Sequence, residues 1–184
     1  MKATQATGQL VDLKGKCFIS IPALSTTIPM QSLPDIGDNK GATYADEPGI
    51  GRSMPYKTYQ SSENRTISWT AHFMVTQPSD IKDFQKYIRA IQAAVYPFNS
   101  GSDGAGGAPY TPPPICQIKC GQLLDMGLPV NAILKSYALK YDTSVPWDED
   151  TFLPYKFDID MQFDVVYDQV KLPGANQIFT GVIP

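Results

Sequence analysis

Residues 157–167 run Phe-Asp-Ile-Asp-Met-Gln-Phe-Asp-Val-Val-Tyr, apolar at every odd position. A period of two sustained over this length fits only a β-strand with one buried face and one wet face. A helix would scatter these apolar residues around its circumference. The wet face carries Asp158, Asp160 and Asp164. Aspartate is a poor strand former, so something other than local propensity must hold three carboxylates there.

The remaining chain supplies partners for such a strand. Gly15–Ile21 is a short candidate strand, ended by Pro22. Ile67, Trp69, Ala71, Phe73 and Val75 alternate with Thr66, Ser68, Thr70, His72 and Met74, which predicts a second long two-faced strand with Trp69 in the core. Ser79 or Asp80 then offers a helix N-cap. Ile81, Phe84, Ile88, Ile91 and Val95 follow at helical spacing, with Lys82, Asp83, Lys86 and Arg89 opposite, so an amphipathic helix of about four turns is expected before Pro97. Ile115–Gly121 predicts another strand. Val130–Asp142 predicts a longer one, with Ile133, Tyr137, Leu139 and Tyr141 on one face together with Lys135. Asp142–Leu153 reads as a polar turn region around Trp147.

Three stretches lack such patterns. Residues 22–61 hold five prolines and four glycines and read as a long irregular arm that packs on a neighbour, since connections in compact domains usually have about 4–6 residues. Residues 99–111 are rich in glycine and read as a flexible loop. Residues 168–184 read as a C-terminal tail. One helix among several alternating strands predicts a single domain over residues 1–184. Its fold class is α+β, mainly β: an antiparallel β-sandwich or barrel with one packed amphipathic helix.

Composition narrows the function. Charged residues make up 18% of the chain, against about a quarter in ordinary domains, and a surface poor in charge points to assembly. The net charge of −3 disfavours a protein that tracks DNA phosphates. No apolar run reaches the roughly 18 residues of a membrane span, and the N-terminal residues lead into no signal-like apolar core. Cys116 and Cys120, four apart on a strand, stand about 13 Å from each other by strand rise, too far for a disulfide. With Cys17 the count is odd, so reduced, buried thiols are expected.

No constellation of catalytic residues emerges. Aspartates at i and i+2 on a strand are about 7 Å apart, too far to clamp one ion, and no calcium-loop spacing is present. His72 is the one histidine and reads as structural or solvent-facing, since nucleophilic catalysis needs a base with an orienting partner. The glycine loop lacks the Gly-Lys-Ser/Thr ending of a phosphate loop. Asp148, Glu149 and Asp150 are consecutive and read as a solvated turn. Lys82, Lys86 and Arg89 form a basic strip, solvated or set against an acidic neighbour. The expectation is a protein that is not an enzyme, with no catalytic residue, metal or cofactor.

Three segments resemble the tail-tube fold of contractile-tailed bacteriophages. They are the strand-then-helix unit Ile67–Ala94, the proline-led strand Pro112–Gly121, and Ala132–Tyr167 with its turn through Phe152-Leu153-Pro154. The resemblance spans residues 60–170 and points to tube-initiator or baseplate-hub proteins. It implies a virion structural protein, assembled in the host cytoplasm as a hexameric ring that lines the DNA conduit and bridges tube to baseplate. Adjacent tube, hub and wedge proteins would be its partners, with DNA passing transiently and no membrane involved. It also implies that Asp158, Asp160 and Asp164 face the lumen, where an electronegative wall would repel phosphate, and that deleting residues 22–61 disrupts assembly while leaving the monomer soluble. The alternative is a β-sandwich that binds carbohydrate or a receptor through Trp147 and nearby tyrosines.

Overall fold

A computed structural model describes residue 13 and residues 15–51, 53–97, 112–149 and 152–167. The expected glycine loop and C-terminal tail lie outside the described residues. Among the described residues nine strands and one α-helix occur in the order β1 (Cys17–Ile21), β2 (Thr26–Pro29), β3 (Asp35–Asn39), β4 (Ala42–Glu47), β5 (Tyr56–Ser62), β6 (Thr66–Met74), α1 (Pro78–Ala93), β7 (Ile115–Cys120), β8 (Val130–Tyr141) and β9 (Lys156–Val165). Seven strands form one antiparallel sheet in the order β2-β1-β7-β8-β9-β6-β3, and β4 and β5 form a separate hairpin. The antiparallel, mainly β class with one helix is the one expected. The main sheet runs continuously through seven strands, and β4 and β5 make a second, two-stranded sheet.

That sheet must be strongly coiled. Seven strands laid flat span about 29 Å at a spacing of ~4.8 Å. Yet β2 and β3, which occupy opposite edges, are joined by the short segment between Pro29 and Asp35, whose extended reach is about 21 Å. Coiling brings the edges together, and the joining segment bridges them. Oε1 of Gln31 accepts the Met74 amide at 2.9 Å, and the Ser32 hydroxyl donates to the His72 carbonyl at 3.4 Å. These side chains serve the part of β6 beyond its last pairing with β3, Asp35 with Thr70. An exposed sheet edge invites unwanted pairing; here a crossing segment covers it.

The concave face is apolar. Ile19, Ile28, Ile118, Leu134, Trp69 and Phe163 join one buried cluster with Phe84, Ile88 and Ile91 of α1. Phe73, Phe84 and Phe157 meet at ring-centroid distances of 5.3–5.5 Å, fastening the helix to β6 and β9. Each such ring contributes roughly 2–3 kcal/mol by leaving water. The N-cap lies two residues before Ser79 and three before Asp80, the expected caps. Gln77 is the N-cap and Pro78 the first helical residue, where its missing N–H costs nothing. Asp80, in the third helical position, reaches back to accept the Gln77 and Thr76 amides at 2.9 and 3.0 Å.

The segment 22–61 departs most from expectation. It holds four strands rather than irregular coil. Strands β2 and β3 are integral to the main sheet, so deletion of residues 22–61 would remove both of its edges and would not spare the fold. The β8 strand also differs. A bulge between Leu134 and Ser136 shifts its register on β9. Val130, Ala132 and Leu134 face the core before the bulge; Tyr137 and Leu139 pack on it afterwards. Ile133 therefore lies beside Asp164 on the polar face, apart from the tyrosines. One extra residue reverses a period of two.

Candidate functional site

The convex face of the sheet carries the acidic row. β9 lies between β6 and β8, and the registers bring a partner to each carboxylate. His72 is directly across from Asp158, with Nδ1 2.7 Å from Oδ1. Asp160 accepts the Thr70 hydroxyl at 2.7 Å and lies 2.6 Å from Lys140 Nζ. Asp164 lies 3.6 Å from Lys135 Nζ, and Lys135 is the residue at the β8 bulge. The Lys140 hydrogen bond, followed by that of Thr70, holds Asp160 below the usual carboxylate range. Cross-strand pairs of opposite charge favour the strand, weakly where the lysine is exposed to solvent. This answers why poor strand formers occupy the row: their neighbours compensate them. The three aspartates share one face as expected, but they do not form an unpaired negative strip.

His72 has a specific structural position. Its Nε2 also lies 3.4 Å from Asp35 on the edge strand β3. When protonated, the ring donates toward a carboxylate on each side and ties β3 to β9 across β6. The hydrogen bond to Asp158 is the largest influence raising the His72 pKa above its ordinary value. The clasp is therefore fully present below the unfolded-state value near 6.5 and is lost as pH rises through the higher folded value. Amide hydrogen exchange in Asp35–Asn39, corrected for the intrinsic rate, is expected to accelerate above pH 6.5. His72→Gln should remove that excess pH dependence; an unchanged profile would refute the clasp. Both ring nitrogens face carboxylates, so the arrangement offers no activated nucleophile. Among the described residues no group of three or more His, Cys, Asp or Glu side chains is placed to hold a metal ion.

The β4–β5 hairpin forms the second surface. Every residue of β5 is exposed. Tyr44 and Tyr59 meet edge to face at 5.8 Å, and Lys57 pairs with Asp46. Ile50 and Met54, near the tip, are open to solvent. Tyr44, Tyr56, Tyr59 and Met54 are exposed, whereas Met30 enters the core. A lone two-stranded hairpin is marginally stable in water.

Arg65 was not singled out by its sequence context. Its guanidinium, 13% exposed, grips Asp38 at 2.9 and 2.6 Å through Nε and Nη2. Nη1 donates to Asp125 at 2.6 Å and to the Tyr167 hydroxyl at 3.4 Å. One side chain thus joins β3, the β7–β8 connection and the end of β9. A lone arginine before a strand carries no periodic signal, and its partners are 27, 60 and 102 residues away.

The other candidate positions separate. Trp147 is half-buried between Tyr141 and Phe152, with ring centroids at 6.3 and 5.5 Å. Asp150 lies outside the described residues. Lys82, Lys86 and Arg89 are on the exposed side of α1. Among the described residues no helix is long and apolar enough to cross a membrane. No protein-family model matches the sequence, and no curated protein is significantly similar to it.

Proposed function

We propose that this protein is a structural subunit of a contractile phage tail, acting at the tube or baseplate hub. It self-assembles into a hexameric ring that lines the DNA conduit and bridges tube to baseplate. The observation that carries the reading is the division of labour between surfaces. The sheet presents a broad, charge-compensated polar face, and a separate hairpin stands exposed with tyrosines and apolar residues at its flanks and tip. The first suits a wall past which a polyanion moves; the second suits a contact with a neighbouring subunit or ring. The function is shape and self-association rather than chemistry. Sedimentation of the purified full chain is expected to show a six-subunit species, and a strictly monomeric protein at high concentration would count against it.

The conduit face works by engaging the lysines that flank the acidic row. Lys135 and Lys140 are engaged by Asp164 and Asp160. This differs from the simple electronegative wall implied by the sequence. Converting Asp158, Asp160 and Asp164 together to Asn would release both lysines and leave His72 with Asp35 alone. The variant is expected to gain weak DNA retention that disappears with added salt, measured by filter binding between low and moderate ionic strength. Equal retention by variant and parent protein would contradict this role for the row.

A carbohydrate-binding module is the second reading, favoured by the aromatic shelf of Tyr141, Trp147 and the exposed Phe152. Stacking on a sugar would use such a surface. Glycan-array binding that is lost in Trp147→Ala would support it, and absence of binding by the parent protein would exclude it.

A further inference from the structure

We propose that Cys17 and Cys120 are an oxidisable thiol pair that closes into a disulfide bond and locks β1 to β7. The two residues are direct partners in the β1–β7 register, and their sulfurs lie 3.0 Å apart. In the adjacent rung, the Gly121 amide donates to the Lys16 carbonyl at 2.7 Å. Antiparallel rungs alternate, so Cys17 and Cys120 form a non-hydrogen-bonded pair, whose Cα atoms characteristically stand about 4.5 Å apart. That lies within the roughly 4.4–6.8 Å range of disulfides, and the sulfurs need to approach by only about 1 Å. The third cysteine does not compete. Cys116 lies four residues from Cys120 along the same strand, about 13 Å away by strand rise.

Position in the ladder sets how the pair reacts. Both side chains are buried, and burial together with the adjoining sulfur keeps the Cys17 thiol protonated. The closed sheet is therefore slow to oxidise. Cys17 is the first residue of β1 and Cys120 the last of β7, so fraying at that end of the ladder frees both together. With a small oxidised disulfide, one cysteine gives up its proton and attacks a sulfur, expelling one small thiolate. The second cysteine then displaces the other small thiolate. Two protein thiols lose two electrons and two protons, and the small disulfide becomes two thiols. A diazenedicarboxamide oxidant takes the same two electrons and two protons into its N=N bond. The new bond closes a loop of about 100 residues and restricts the unfolded chain.

The test treats the full chain with the diazenedicarboxamide, with and without mild urea to promote opening. Intact mass should fall by two hydrogens, peptide mapping should recover Cys17 joined to Cys120 within one chain, and the melting temperature should rise by about 10 °C. A thiol reductant should reverse all three changes. Cys116→Ser should retain them, while Cys120→Ser and, separately, Cys17→Ala should lose them. Three free thiols after treatment in urea, a bond that uses Cys116, or crosslinks only between chains would overturn the proposal.

Discussion

Arg65→Ala is expected to lower the stability of the subunit by about 3 kcal/mol, in the lower part of the range for breaking a buried ion pair. The guanidinium is 13% exposed and Asp125 18%, whereas Asp38 is 41% exposed, so the Asp125 contact accounts for most of the loss. Removing the arginine strands that carboxylate with little water to replace its partner. It also frees a strained turn, since Asp125 and Met126 both have positive φ, 39° and 54°, a region that side chains other than glycine rarely adopt. Urea titration should show the loss with an unchanged slope, and the melting temperature should fall by about 6–12 °C. Arg65→Lys keeps the charge but cannot reproduce the two-pronged grip on Asp38, so it should recover less than half. A loss below about 0.5 kcal/mol, the level of ordinary surface substitutions, would show that the cluster does not hold β3 in place.

The second large effect is on assembly. Residues 43–61, replaced by a two-residue turn, would leave Ala42 and Ser62, which already pair, as the ends of a short connection. The seven-stranded sheet loses nothing, so the melting temperature of the subunit should stay within a few degrees of the parent. Assembly should fail, shown by sedimentation as loss of every species larger than the monomer. Deletion of the whole span 22–61 should instead unfold the protein, because β2 and β3 go with it. Normal rings from the hairpin-less variant would remove the hairpin from the proposed interface.

What could be read from sequence followed the reach of the physical signal. The alternation in β6 and β9 and the helical spacing in α1 are local patterns of long elements, and each appeared with its buried residues correctly chosen. Burial of Trp69, Cys116 and Cys120 followed from the same patterns. The arm was misread because β2 to β5 are short, interrupted by prolines and glycines, and stabilised by pairings that no local window contains. Asp35 and Asp38 are poor strand formers, held in β3 by pairing with β6 and by His72 and Arg65. The acidic row was visible, but its compensation was not. Which cation meets which carboxylate depends on register across β6 and β8, and the bulge at Lys135 sets part of that register. The approach of Cys17 to Cys120 has the same origin: cysteine spacing excluded one disulfide, while strand order created a different close pair.

The proposed ring has the polar sheet face as the wall of its channel. Cryo-electron microscopy of the assembled full-length protein tests it most directly. Six subunits are expected around a central opening, with Asp158, Asp160 and Asp164 and their partners His72, Lys140 and Lys135 facing the opening and the β4–β5 hairpin seated against a neighbour. A ring with that face turned outward or buried between subunits, or a protein that remains a monomer under all assembly conditions, would contradict it.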